Sequence, residues 1–485
     1  MKVIKKRVSH NIILNNNKYK KILYLLLYCI INICLFIILL NLEKNVWVEK
    51  ITLISSIQLA LNIILIINYG YKIFSLPILF IIFTYIFHLG QLILIVLDSN
   101  VERSVDIVNL VSNDLFIKAC CFVICSQMFV VLGIITINYK KKKTTKDVVE
   151  KNMTEDQIKI IYIIGIVLFV IGLFPNVYLN FIKIDSFLKG DYLTGLTAYS
   201  ETSGIIKILS QFFTVGILLI IIGQKSKKKS AKLFFAIVIV YQICTMISGS
   251  RGEQVISIIT FVFLYINIHE VKINKKKLFL LILISYIGLI LLNTLSDIRS
   301  MNNFNMELFF KIFCNNSIQE SPILSAMGEF GGTMISLCYS IKFFPYTVKY
   351  VYGRSYLLSF LTVLPNFHGF LEYINNTSIF TYNFPEIYRM YLGGSYLGEL
   401  YYNFGFIGVF CSYCIGILVG SISRIVTNAL KKKKYLALAI FINLYPSILW
   451  WVRDYFINIV RNFAWMTIII LFLYYFIYSI RKEKK

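Results

Sequence analysis

The sequence predicts an all-α polytopic membrane protein of about twelve transmembrane helices, with both termini in the cytoplasm. Three observations predict it. Hydrophobic residues make up 58% of the 485-residue chain and the mean hydropathy is +0.73, beyond the range of a soluble domain. Apolar runs of about 18 residues or more recur along nearly the whole length, each long enough to cross the hydrocarbon of a bilayer. The segments between them alternate sharply in charge, as the positive-inside rule requires of a chain threaded back and forth through a membrane.

The expected spans are 22–41, 51–69, 76–97, 115–137, 158–178, 205–223, 231–248, 254–268, 278–295, 396–422, 435–452 and 462–480. The first follows a basic N-terminus. It is too long for a signal-peptide core, and no small-residue cleavage site follows, so it reads as a retained span. No soluble domain, Pro-rich linker or internal repeat interrupts the series, which makes residues 1–485 a single transmembrane domain. The lysine runs at 141–143, 227–229, 275–277 and 431–434 fall on the same side as both termini, the cytoplasmic side. On this topology the inner segments hold 33 Lys and Arg against 6 Asp and Glu, and the outer ones 16 against 18. The pI near 9.5 therefore reports orientation and contact with anionic lipid heads, not nucleic-acid binding.

Arginine is distributed differently from lysine. Arg7, Arg424 and Arg481 lie inside, whereas Arg103, Arg251, Arg299, Arg354, Arg389, Arg453 and Arg461 lie outside. Lysine suffices for orientation, but the guanidinium grips phosphate bidentately and never deprotonates. An outer set of arginines in a lysine-rich chain points to a phosphate-bearing ligand, with salt bridges to the outer acids as the plain alternative.

The longest loop, 296–394, lies between the ninth and tenth spans on the outer side. Its stretches 322–342 and 356–363 are amphipathic to apolar, as in helices that lie on a membrane or line a cavity. A loop of this size, rich in aromatics, reads as a lid or substrate platform. The outer loop 180–204 carries Tyr192 and Tyr199, which suit stacking on sugar rings or anchoring at the interface.

Four short runs hold the candidate chemistry. In Gly249-Ser250-Arg251-Gly252-Glu253 two glycines permit a tight turn holding Arg251 and Glu253 at the mouth of the bundle. Asp297-Ile298-Arg299 follows the ninth span, and Gly353-Arg354-Ser355-Tyr356 precedes Pro365. The fourth run begins at Arg389 and continues through Gly393-Gly394-Ser395-Tyr396-Leu397-Gly398-Glu399 to Tyr401-Tyr402-Asn403-Phe404-Gly405. Glu399 stands about one turn inside a span, where a carboxylate is neutral, paired or reached by water; an outer arginine is the expected partner. Each run also has a structural reading: a capped turn, a local ion pair, or glycines for close helix packing. Among the four histidines, His368 alone is external. The ten cysteines form no metal pattern: Cys411 and Cys414 sit in an apolar run, and Cys314 and Cys338 are the one pair placed to bridge outside.

At these residues the sequence resembles the bacterial O-antigen polymerase family, the Wzy-type oligosaccharide repeat-unit polymerases. The resemblance rests on the SRG turn at 250–252, the GRSY…LP stretch from 353 to 365 and the GGSYLGELYYNFG run from 393 to 405. The plan of about twelve spans with a late external loop belongs to it as well. The family implies a GT-C-like fold in the bacterial plasma membrane, multi-pass, with the active site facing outward. It implies inverting transfer of a glycan from undecaprenyl diphosphate to a hydroxyl of a lipid-linked repeat unit, without metal or other cofactor. The partners implied are the lipid-linked oligosaccharide, membrane lipids, a repeat-unit flippase and a chain-length regulator.

Breaking the glycosidic bond leaves negative charge on the departing diphosphate, and fixed guanidinium groups stabilise it. Arg251, Arg299 and Arg389 are the expected catalytic arginines, with Glu253 and then Glu399 as the group that takes or orients the acceptor proton. Arg354, Tyr356, Ser395, Asn403 and Tyr192 are the expected substrate-binding residues. The His-Asn pair that related ligases carry before the corresponding late helix is absent. Two rivals stand beside this reading: a repeat-unit flippase or other transporter, and a related lipid-linked glycan ligase. A flippase calls for ionisable groups near the midplane, and here the polar features gather at one face.

Overall fold

The computed structural model of the chain describes residues 2–41, 46–97, 106–139, 155–188, 204–246, 251–271, 305–318, 321–364, 369–389 and 392–483, with further positions scattered through 198–202 and 274–298. For 2–18, 138–139, 187–188, 317–318, Leu40, Arg251 and Pro322 it describes the backbone alone. Among the described residues the longer elements are all helices. They run α1 (Lys2–Leu40), α2 (Trp47–Asn68), α3 (Leu76–Val96), α4 (Asn113–Tyr139), α5 (Glu155–Leu188), α6 (Gly204–Gly223), α7 (Lys228–Thr245) and α8 (Arg251–Ile268). After them come α9 (Met306–Ile318), α10 (Pro322–Gly331), α11 (Met334–Phe343), α12 (Arg354–Ser359) and α13 (Phe370–Ser378). The chain closes with α14 (Tyr396–Phe404), α15 (Gly408–Lys432), α16 (Tyr435–Phe441), α17 (Leu444–Trp450) and α18 (Phe456–Glu483).

Nine segments among the described residues are long and apolar enough to cross a membrane. They match the expected spans except the seventh, eighth and ninth. The seventh is α7, a helix that opens with Lys228, Lys229 and Lys232. The eighth is the shorter apolar helix Gly252–Ile268. The ninth, 278–295, lies largely outside the described residues.

Two expected spans are broken rather than continuous. The tenth divides at Gly405, whose φ of +56° is paired with a ψ of −143° that only glycine adopts readily. A Cβ there would meet the Tyr350 ring at 2.8 Å. The eleventh divides into α16, α17 and a 3-10 turn, Trp451–Arg453. Helices otherwise pack through small residues, as expected where no water drives association. A Cβ on Gly172 or Gly216 would enter the backbone of the facing helix in the α5–α6 pair, and Gly133 and Gly416 do the same for α4 and α15.

The region expected as an outer loop folds back into the bundle in its first half. α11 lies inside rather than on a surface, and α10 is half-buried against α3. Phe330 stacks on Phe87 with centroids 5.0 Å apart, and Gln91 Nε2 donates to the Gly328 carbonyl at 3.1 Å. Every side chain of α11 except Lys342 is buried. The apolar character of 334–343 thus reports core packing. Cys314 and Cys338 are not joined by a disulfide: Cys338 lies in the core and Cys314 is exposed.

A buried polar network ties the first four helices together. Tyr28 OH donates to Asn62 Oδ1 (2.7 Å), Asn62 Nδ2 to Tyr85 OH (3.1 Å) and Tyr85 OH to Gln58 Oε1 (2.6 Å). Gln58 Nε2 in turn reaches Asn32 Oδ1 (2.8 Å) and the Ile124 carbonyl (2.9 Å).

Candidate functional site

The turn between α17 and α18, Trp450-Trp451-Val452-Arg453-Asp454-Tyr455-Phe456, is the point on which the sequence motifs converge. Gly252 of the SRG turn lies under the Trp450 indole, where a Cβ would meet Cζ3 at 2.7 Å. A Cβ on Gly393 would lie 3.1 Å from Arg453 Cγ, and one on Gly394 2.6 Å from the Asp454 backbone. The paired glycines thus seat this turn, not a helix–helix contact. Tyr356 and Phe360 pack edge-on against Phe456, at 5.3 and 6.0 Å.

Glu399 completes the clamp. Its Oε2 accepts from Trp451 Nε1 at 2.9 Å, and both its oxygens accept from the Phe456 N–H, at 3.0 and 3.1 Å. Phe456 is the first residue of α18, so a carboxylate here satisfies an otherwise unpaired helix N-terminal donor and sits favourably in the helix dipole. Its partners are this indole and this amide, not the outer arginine expected from the sequence. Ser395 is the N-cap of α14: its hydroxyl accepts from the Gly398 N–H (3.3 Å) and meets His88 Nε2 at 2.8 Å. Asn403 staples the GRSY turn to α14. Its Oδ1 accepts from the Gly353 N–H (3.0 Å), while its Nδ2 donates to Ser355 Oγ (2.7 Å) and the Glu399 carbonyl (2.7 Å). Ser395, Glu399 and Asn403 are all buried and line neither cavity described below.

The first cavity, of about 440 Å³, opens where the C-terminal ends of α5 and α7 meet the N-terminal ends of α6, α8 and α18. Lys183, Lys207 and Arg461 supply its cations, and Glu253 and Asp454 its carboxylates. Asn176, Gln211, Gln242, Asn443 and Asn462 add amides. Buried oxygens on two lining amides, Gln254 Oε1 and Asn443 Oδ1, have no hydrogen-bond partner among the described residues. Buried acceptors of this kind in a cleft are suited to a polar ligand.

Asp454 is oriented within this cavity. Asn458 Nδ2 donates to Asp454 Oδ1 at 2.7 Å, and Arg461 Nη2 donates to Asn458 Oδ1 at 3.3 Å. Burial pushes the Asp454 carboxyl up to about 6; hydrogen bonds from the Tyr455 N–H and Asn458 and the charge of Arg461 oppose the rise, while Glu253 adds to it.

The second cavity, of about 530 Å³, lies on the other side of the same turn. Asn376, Thr381, Tyr382, Arg389, Tyr455 and Asn458 are its polar lining. Asn458 lines both cavities. Tyr455 is fixed by a 2.5 Å hydrogen bond between its hydroxyl and Thr381 Oγ1. Arg389 is held by a 2.6 Å bond from Nε to the Phe384 carbonyl.

The expected site residues are therefore divided. Glu253 lines the first cavity and Arg389 the second. Arg251 is the first residue of α8, and its side chain lies outside the described residues, as do Arg299, Tyr192 and His368. Arg354 is exposed, donates through Nη2 to Tyr373 OH and lies over that ring at 5.6 Å. Asp297, the neighbour of Arg299, accepts from Asn316 Nδ2 at 2.6 Å. Sequence reading did not single out Lys183, Lys207, Asp454 or Asn458. It counted Arg461 among the outer arginines without assigning it a role.

Apolar helices long enough to span a membrane, around a polar, cation-bearing cavity at one end, define a multi-pass membrane protein with a polar cavity between its helices. The profile of the family described as O-antigen polysaccharide polymerase Wzy matches residues 22–485, essentially the whole chain, and the protein belongs to that family. Membership supports a role as a glycosyltransferase-like polysaccharide polymerase of the membrane. No match was found among curated proteins or among solved structures.

Proposed function

We propose that this protein polymerises a bacterial surface polysaccharide, moving a growing glycan from undecaprenyl diphosphate to a hydroxyl of a fresh lipid-linked repeat unit at the outer face of the plasma membrane. The observation that carries the reading is the first cavity, where Lys183, Lys207 and Arg461 gather beside Glu253 and Asp454 at one end of an apolar bundle. Cations in a site walled by apolar helices stabilise the charge that develops on a leaving diphosphate far better than they would in water. Arg251, the first residue of α8, precedes Glu253 by two positions. The reaction needs no metal on this reading, because fixed side-chain cations take that part. The same end of the bundle carries the segments whose charge balance places them outside under the positive-inside rule.

The test is a deletion strain complemented with wild type, Lys183→Ala or Arg251→Ala, with surface glycan length read on a gel. Single repeat units at the surface with either expressed variant support the reading. Lipid-linked repeat units trapped inside the deletion strain would replace it with a flippase.

A further inference from the structure

The turn 454–458 stands between two cavities, and its residues are shared between them unevenly. Asp454 faces the first, Tyr455 the second, and Asn458 both. The first cavity holds cations suited to a diphosphate. The second has two tyrosine rings, Tyr382 and Tyr455, with the amides of Asn376 and Asn458 and the hydroxyl of Thr381. Aromatic faces flanked by amides and hydroxyls match a sugar, with its apolar ring face and its rim of hydroxyls. Its size falls within the range of small-ligand clefts. Arg389 is the one charged side chain among its described lining residues, so it offers donors and no repelling carboxylate.

Resting on the polymerase reading, we propose that the second cavity seats the acceptor glycan, that its attacking hydroxyl reaches past Asn458, which borders both cavities, into the first, and that Asp454 there, aimed by Asn458, takes its proton. The acceptor O–H proton passes to the Asp454 carboxylate as the oxygen bonds to the anomeric carbon of the donor glycan. The bond from that carbon to the phosphate oxygen breaks, its electron pair leaves on the diphosphate, and the Lys183, Lys207 and Arg461 side receives the charge. Asn458 is a positioning residue: it donates to Asp454 Oδ1 and is itself held by Arg461. Glu399 does not compete for the proton, because both its oxygens are committed to Trp451 and Phe456. Glu253, on α8 in the same cavity, is the rival carboxylate.

The experiment uses the full chain in lipid nanodiscs with lipid-linked repeat units purified from the deletion strain. Asp454→Asn is expected to lower turnover about a hundredfold or more, the usual contribution of a general base, while Glu253→Gln lowers it less. Groups facing Asp454 that set the acid limb of the pH–rate profile are Glu253, Glu399, Tyr455, Asn458 and Arg461, with Lys183 and Lys207 in the same cavity. Asn458→Ala removes a hydrogen bond that favours the charged carboxylate, so the limb moves from about pH 6 to higher pH. A merely structural loss would lower the rate without moving the limb. Tyr382→Ala is expected to weaken binding of the repeat-unit oligosaccharide, released from its lipid, about tenfold. Near-normal turnover in Asp454→Asn, an unmoved limb in Asn458→Ala, or unchanged oligosaccharide binding in Tyr382→Ala each overturns the proposal. Full-length glycan from Asp454→Asn in a strain whose deletion leaves single units at the surface sinks this inference alone and leaves the polymerase reading standing.

Discussion

Two regions of this protein bury polar side chains among apolar helices, with opposite outcomes. In the network of α1–α4, Tyr28, Asn32, Gln58, Asn62 and Tyr85 bond to one another and to the backbone. In the first cavity, amides, lysines and carboxylates of α5–α8 and α18 face a shared space of about 440 Å³, and two buried amide oxygens remain without a partner among the described residues. Polar groups inside a membrane bundle are costly unless satisfied. Where they satisfy each other they act as a fastener, and where they border a space they are suited to receive a ligand. Amides and tyrosines occur in both regions, but the cavity adds lysine, arginine and carboxylates, and its geometry turns them toward a space.

The clamp beneath the cavity gives the largest expected effect on stability. Glu399→Leu strips acceptors from the Trp451 indole and the Phe456 amide, at about 1–3 kcal/mol for each orphaned donor. Its Tm in detergent is expected to fall by many degrees, with Glu399→Gln falling less because one acceptor oxygen survives. If Glu399→Leu keeps its Tm and loses only activity, the residue belongs to the cavity side of the comparison. Gly394→Ala comes next. Its Cβ would lie 2.6 Å from the Asp454 backbone, so the turn must shift. Turnover is expected to fall tenfold or more because the displaced group is Asp454, and Tm to fall as well because the clash is with backbone.

Lys183→Ala and Lys207→Ala are each expected to raise KM for the lipid-linked substrate about tenfold, equivalent to ~1.4 kcal/mol, with Tm held. Asn62→Ala should do the reverse, lowering Tm by the equivalent of about 1–2 kcal/mol and leaving KM unchanged. A KM effect from Asn62→Ala would erase the distinction between fastener and receptor. The smallest effect belongs to Arg354→Ala. Its guanidinium is exposed and engages only Tyr373 in the described contacts, so a change within about 1 kcal/mol is expected on thermal stability.

The turn that joins α17 and α18 shows where some motif residues sit. A polar residue in an apolar run signals equally a ligand contact and an internal tie. Ser395, Glu399 and Asn403 were expected near substrate, yet each is buried against its own scaffold. Their run is nevertheless tied to function, because it seats Asp454. Glu253 was legible because a charge flanked by glycines at a helix start has few structural uses. Lys183, Lys207 and Asn458 were not, since each alone looks like an ordinary residue at a helix end.

Hydropathy and charge alternation, read along the chain, were enough to identify a multi-pass helical membrane protein, because a bilayer demands one apolar run for each crossing. The motif runs were enough to point to the family. Tertiary structure alone decided that 334–343 lies inside the bundle, that the tenth and eleventh expected spans are broken, and that two cavities meet at Asn458. The physical reason is range. Membrane crossing is a property of consecutive residues, whereas a cavity is assembled from helix ends more than two hundred positions apart, and no local pattern records which ends will meet.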